Sequence, residues 1–191
     1  MTAKIIGEET VYSAWSTFRK VHIQLADGSR IVREVESHGV ATAVFVFDPS
    51  LRAALFIKTV RAPVLMAGEP QVLEAPAGLI DDGETAEDSA RREVREELGV
   101  ALGELHRIGE FWPSPGVSCE RVTLFLAEYS PADRVEPGGG LASENEQIEI
   151  VELPLAEVWA RYEAGELTDM KTAMMLLELR RRRPSLFDLQ A

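Results

Sequence analysis

An α/β or α+β sandwich preceded by a small β element is the fold class this sequence predicts, and three observations predict it. Short strand-like runs recur along the chain. Helical periodicity interrupts them three times, at Glu84 to Gly99, Leu155 to Ala164 and Met170 to Arg182. The first forty residues carry extended patterning and a hairpin signal.

Each element follows from local chemistry. Val21, Ile23 and Leu25 alternate with polar neighbours, Asp27-Gly28 is a hairpin turn, and Ile31 to Val35 pairs back. The apolar runs Val40 to Phe47, closed by Asp48-Pro49, and Ala53 to Val60 read as strands buried on both faces. The main sheet therefore begins near residue 39, which divides the chain into a β subdomain over 1–38 and a larger domain over 39–191. In the first helix Ala86, Ala90, Val94 and Leu98 recur every fourth residue, Thr85 caps the start and Gly99 ends it. Further strands are expected at His106 to Glu110, Val122 to Glu128 and Ile148 to Glu152. Pro113 and Pro115-Gly116 separate them, and Pro137-Gly138-Gly139-Gly140 reads as a mobile surface loop. Two helices finish the chain, one after Pro154 and one before Pro184.

Composition bounds the function. The chain has 191 residues, with 32 acidic against 20 basic and a net charge of −12. Such a charge disfavours nucleic-acid backbones and anionic membrane surfaces, which need clustered Lys and Arg. A polyanionic substrate would then need help from a cation. No apolar run approaches the length of a membrane helix. One cysteine, Cys119, excludes an internal disulfide, and Met1 to Glu8 lacks a signal-peptide stretch, so the expected address is cytoplasmic. With three histidines and one cysteine there is no zinc spacing, so any metal site here is built from oxygen.

The chemistry concentrates between Gly78 and Val100. Glu93 and Glu97, four apart, lie on one helix face, with Glu96 beside them. Like charges so placed repel unless a cation sits between them, and Mg²⁺ takes oxygen ligands of this kind. The same spacing also fits a solvated acidic face alternating with Arg91, Arg92 and Arg95. The preceding Ala75-Pro76-Ala77-Gly78 turn favours the metal, because small residues let backbone approach a ligand and aim a carbonyl at it.

Gly78, Glu84 and the run Arg92-Glu93-Val94-Arg95-Glu96-Glu97-Leu98-Gly99-Val100 resemble the Nudix box at every fixed position. The resemblance implies an α/β/α Nudix sandwich with a mixed sheet, in which the box forms a loop-helix-loop. Glu93, Glu96 and Glu97 would bind Mg²⁺, with Mn²⁺ as an alternative, and Arg92 would pair with Glu84. It implies hydrolysis of a nucleoside diphosphate linked to another group. Arg33 to Gly39, Ala75 to Gly78, Ser114-Pro115-Gly116, Glu144-Asn145-Glu146 and Gly165 to Thr172 resemble the branch that cleaves ADP-ribose and nucleotide sugars, GDP-mannose included. That branch implies a homodimer with an exchanged N-terminal subdomain and a metal ligand in the Ala77 carbonyl. It also implies a water-orienting or water-deprotonating glutamate, here Glu144 or Glu146, with Glu96 as the other catalytic candidate. Arg33, Arg61, Glu74 and Gly116 are its substrate-binding candidates.

Other residues keep two readings. Arg61 suits bidentate phosphate contact or a structural ion pair, and Glu74 suits a sugar contact or a strand-end surface charge. Thr59, where the branch usually has Gln, and the apolar Ala62 to Met66 depart from the pattern. Tyr12, Trp15 and Phe18 suit base stacking or interface packing. Trp112 suits the pocket or the core, and His38 suits a substrate contact in the turn before the main sheet or a structural role. Cys119 has no neighbour placed to activate it, and Arg180 to Arg183 read as helix C-terminal charge. The leading function is a homodimeric metal-dependent pyrophosphatase releasing a nucleoside monophosphate and a sugar phosphate. The alternative is a Nudix-fold module that binds such a ligand without cutting it.

Overall fold

The computed structural model describes residues 2–141 and 146–188 and resolves into two compact units. Unit 1 comprises residues 1–40 and 111–122, and unit 2 comprises residues 41–110 and 123–191.

Unit 1 is built on an antiparallel sheet of β1 (Lys4–Ser13), β2 (Thr17–Gln24) and β3 (Arg30–Ser37) in the order β1-β2-β3. The Asp27-Gly28 turn closes its second hairpin, with Gly28 at φ 86° and Asp27 Oδ1 accepting the Ser29 N–H at 2.9 Å. Register shifts after Ile5 and after Thr10 mark bulges in β1. Val21 is the one buried residue on these three strands. The segment over 111–122 joins the sheet through a bridge between Glu36 and Ser118.

Unit 2 contains a mixed sheet of six strands in the order β7-β8-β4-β5-β9, with β6 paired to β4. Its strands are β4 (Val40–Asp48), β5 (Ala53–Lys58), β6 (Ala77–Leu79), β7 (Leu105–Phe111), β8 (Arg121–Glu128) and β9 (Glu149–Pro154). Its helices are α1 (Ala62–Met66), α2 (Ala86–Leu98), α3 (Leu155–Glu163) and α4 (Met170–Arg182). The central strands are apolar on both faces because both faces are covered. Val44, Val46, Leu55 and Ile57 pack with Ala90, Val94 and Leu98 of α2. By the two-residue alternation of a strand, Phe45, Phe47 and Phe56 face the other way. Buried Leu155 and Val158 of α3 and Met175, Leu176 and Leu179 of α4 supply further core, with Leu179 beside Phe47. The anticipated class, α/β with a mixed sheet and a small N-terminal β element, is the one found.

The differences from expectation are local. Strand β5 stops at Lys58 rather than Val60, and the chain makes the short helix α1, with Pro63 in its first turn. No residue of α1 is buried, so it left no apolar period to read. The glycine-rich stretch read as mobile is instead docked on the end of α2. The N–H groups of Gly139 and Gly140 donate to the Glu97 and Glu96 carbonyls at 2.9 and 3.1 Å, satisfying acceptors that a helix C-terminus leaves open. A Cβ on Gly138 would stand 2.7 Å from the Glu97 carbonyl oxygen, so only glycine permits this approach. Among the described residues, no helix is long and apolar enough to cross a membrane.

Candidate active site

Helix α2 sets the site. Thr85 caps it by accepting the Asp88 N–H at 3.1 Å, and Gly99 ends it in the left-handed conformation at φ 71°. The apolar stripe of Ala90, Val94 and Leu98 fixes its rotation, which leaves Glu93, Glu96 and Glu97 projecting from the other side of the turn.

Arg92 organises these charges. Its Nε and Nη2 reach the two Glu84 oxygens at 2.9 Å each, Nη2 also reaches the Leu79 carbonyl at 2.9 Å, and Nη1 reaches Glu93 at 2.7 Å and Glu96 at 3.3 Å. The Glu84 contact is the main cause holding the guanidinium fully charged, and it lowers the Glu84 carboxyl in return. Glu93 lies against the turn before the helix, where a Cβ on Gly78 would stand 2.0 Å from its Oε1. The box therefore needs glycine here for room rather than for its backbone angles.

Strand β6 brings backbone to the same place. Val44 N–H donates to the Pro76 carbonyl at 3.0 Å, so the alternation of an extended strand turns Ala77 away from β4. There the Ala77 N–H meets Glu97 Oε2 at 3.1 Å. Glu97 is 4% exposed. Burial, then repulsion from Glu93 and Glu146, raises its carboxyl well above the usual 4.5 despite the Ala77 contact. Burial, with Glu96 and Glu146 adding repulsion, also raises Glu93 against the pull of Arg92. Glu146 thus acts on the same cluster. Its Oε2 accepts the Leu141 N–H at 3.2 Å, beside the docked glycines. Glu144 lies outside the described residues.

The donor set of Glu93, Glu96, Glu97 and the Ala77 carbonyl is all hard oxygen, which fits Mg²⁺ or Mn²⁺. Among the described residues no three acidic, imidazole or thiol side chains are placed to hold a metal ion as they stand, and Arg92 Nη1 occupies the space between Glu93 and Glu96. A cation entering there would relieve the repulsion that burial intensifies.

The remaining candidates fall in two places. In unit 2, Arg61 forks onto Glu74 at 2.9 and 3.3 Å, so its ion-pair reading is realised. Burial opposes the Arg61 charge, but the Glu74 contact outweighs it. Glu74 is buried rather than on the surface. In unit 1, Arg33 is exposed on β3, and Gly116 is exposed in the 111–122 segment. Trp15 stacks on His38 at 4.9 Å, and His38 Nδ1 meets Glu36 at 2.7 Å, a structural use of that histidine. Tyr12, Trp15, Phe18 and Trp112 are exposed, as is Cys119. Each terminal arginine is engaged, Arg180 over Trp159, Arg181 and Arg182 with Glu178, and Arg183 with Glu128. A cavity of about 790 Å³, lined by Lys58, Val64, Leu73, Arg161 and Glu166 among others, contains none of the box carboxylates.

Asp169, Lys171 and Thr172 entered the sequence reading only within the Gly165 to Thr172 resemblance, without a role, and they contact Glu74 and Ala75. Asp169 followed three residues later by a capped N–H is a helix-start signal, but nothing local shows what else that turn holds.

A model of the NUDIX domain matches residues 37–172. GDP-mannose pyrophosphatase of Cronobacter sakazakii is 31% identical over 188 residues, covering 95% of this chain and 97% of that protein. The Citrobacter koseri protein of the same name is 35% identical over 152 residues, 78% of each chain. A crystal structure described as an ADP compounds hydrolase superposes with a TM-score of 0.75 at 21% identity, over 96% of this chain and 97% of the other.

Proposed function

The chain belongs to the Nudix family, and from that membership we propose that it hydrolyses the pyrophosphate bond of a nucleoside diphosphate sugar or of ADP-ribose. The products are a nucleoside monophosphate and a sugar phosphate. One observation carries the reading: Glu93, Glu96 and Glu97 crowd on α2 beside Ala77, whose N–H donates to Glu97, and Glu93 and Glu97 are raised by burial and by repulsion from neighbouring carboxylates. That arrangement is costly alone and favourable around a divalent cation.

Mg²⁺, or Mn²⁺ in its place, would neutralise the pyrophosphate and polarise its phosphoryl oxygens when held by these four groups. The chain's own residues do the rest. Arg92 fixes the loop before the helix through Glu84 and Leu79. Glu146, or Glu144, accepts a proton from water as its oxygen attacks one phosphorus and the bridging P–O bond breaks. Arg61 presents the edge of a guanidinium held by Glu74 to a phosphate or sugar. Arg33 and Gly116, both on unit 1, are proposed as substrate contacts in their own right.

We also assign the working form as a homodimer in which residues 1–38 act as an exchanged subdomain. Support comes from unit 1, whose three strands bury one side chain while Ile5, Val11, Tyr12, Trp15, Phe18 and Val32 stay exposed. A three-stranded sheet with so little core gains by covering that surface. A cytoplasmic address goes with this reading, in keeping with a single unpaired cysteine.

The test is a Mg²⁺ assay across ADP-ribose, GDP-mannose, UDP-glucose, dinucleotide polyphosphates and nucleoside triphosphates, with products identified. Faster cleavage of compounds carrying two organic ends is expected. Preferred release of pyrophosphate from a triphosphate overturns the substrate class, and tight binding without turnover favours a binding module.

A further inference from the structure

A second group of polar side chains, remote in sequence from the box, converges on the turn that supplies Ala77. Thr172, on the first turn of α4, is fully buried. Its Oγ1 accepts the Ala75 N–H at 2.7 Å and donates to Asp169 Oδ2 at 2.7 Å. Its own N–H donates to the same carboxylate oxygen at 2.9 Å, which makes Asp169 the cap of α4. The other Asp169 oxygen receives Lys171 Nζ at 2.7 Å, and that ammonium stands 3.8 Å from Glu74.

Capping alone accounts for the Asp169 contact with the Thr172 N–H. It does not account for the hydroxyl, whose acceptor side leaves the helix to hold a backbone amide 97 residues away in sequence. Ala75 is itself fully buried, so its N–H has no water to turn to. Only Pro76 separates Ala75 from Ala77. Proline fixes its own φ and restricts the residue before it to extended backbone, so this arm has few conformations available. Its carbonyl is held by Val44, and beyond it the Ala77 N–H meets Glu97.

We propose that Thr172, oriented by Asp169, is a positioning residue: it sets the Ala75-Pro76-Ala77 arm so that the Ala77 carbonyl and the Glu97 carboxylate meet one divalent cation together. The inference rests on the reading that a cation binds at Ala77 and Glu97. Groups that orient metal ligands through one intervening contact typically change affinity by about 10–100-fold when lost.

The test uses Mn²⁺ alone, titrated by calorimetry into the full chain and its variants. Thr172→Val is expected to weaken Mn²⁺ binding by about tenfold or more, and Thr172→Ser, which keeps the hydroxyl, restores it. Leu176→Ala, a buried change on the same helix, is expected to lower the melting temperature without changing Mn²⁺ affinity. If Thr172→Val does not fold, Asp169→Asn carries the test, because its amide oxygen keeps the cap while weakening the acceptor that orients the hydroxyl. Wild-type affinity in Thr172→Val or Asp169→Asn overturns the proposal, as does equal weakening in Leu176→Ala. If the wild type binds no Mn²⁺, or Glu97→Gln binds it as tightly as the wild type, the underlying cation reading falls, and the proposal with it.

Discussion

Replacing Gly78 with alanine adds one methyl group to the turn before α2, and the consequence can be worked from distances. The new Cβ would lie 2.0 Å from Glu93 Oε1, 2.1 Å from Cδ and 2.5 Å from Oε2, where ordinary contact begins near 3.4 Å. The carboxylate must therefore retreat by at least about 1.4 Å. It sits at the end of a flexible side chain, so the fold can absorb the move. The Arg92 contact at 2.7 Å is lost, at a cost of about 1.5–3 kcal/mol for a bond between charged groups. Partial exposure of Arg92 reduces that figure, and the less flexible unfolded chain offsets about 0.4–1 kcal/mol. A net loss of about 1–2 kcal/mol corresponds to a melting temperature lower by at most about 8 °C in a chain of this size. The rate falls further, since a misplacement of about 1 Å costs on the order of 100-fold. Steady-state hydrolysis of ADP-ribose and GDP-mannose with Mg²⁺, alongside thermal melts, separates the two effects. The double variant with Glu93→Gln should be no slower than the slower single variant, because both changes remove one group from one place. Wild-type turnover in a folded Gly78→Ala protein would refute the claim that Glu93 works from its position over Gly78.

Three further expectations follow from the charges. Burial raises Glu97, so it subtracts nothing from stability below about pH 4.5 and destabilises increasingly as pH rises toward its folded value. Metal-free Glu97→Gln should thus melt no lower than wild type at pH 8, gain nothing from Mg²⁺, and turn over at least about 100-fold more slowly; a wild-type response to Mg²⁺ in the variant argues against a ligand role. Glu146→Gln should slow hydrolysis by about 10²–10⁴-fold while weakening Mn²⁺ binding far less than Glu97→Gln does, and an unchanged rate would move the base to Glu144 or Glu96. Glu178 is lowered from 4.5 to about 2, first by Arg181 and then by Arg182. The stability it lends is present above about pH 4.5 and lost as pH falls toward 2, so the melting difference between wild type and Glu178→Gln should narrow over that window.

What the sequence disclosed and what it withheld divide along the range of the interactions. Helix α2 was legible because Thr85, Gly99 and the fourfold apolar spacing are local signals, and α4 was placed over Met170 to Arg182 for similar reasons. The central strands were legible because burial on both faces leaves continuous apolar runs. Helix α1 was not, since it buries nothing. The box carboxylates were visible as a cluster, yet their inequality was not: Glu97 is buried and Glu96 is not, a distinction made by β6 and not by the helix. Arg61 and Glu74 each kept two readings until the fold brought them together. The Thr172 contact with Ala75 spans a separation at which no local pattern operates.

The docking of Gly139 and Gly140 on the last carbonyls of α2 bears on motion as well as on satisfaction of hydrogen bonds. Glu146 is bonded to Leu141, which follows two glycines fastened to the very residues, Glu96 and Glu97, whose side chains form the cluster. Any swaying of the helix end then carries both parties in the same direction, and their separation is disturbed less than the position of either. Two glycines serve as a rigid coupling between acid groups that come from distant stretches of chain. A side chain at Gly138 would uncouple it at its root.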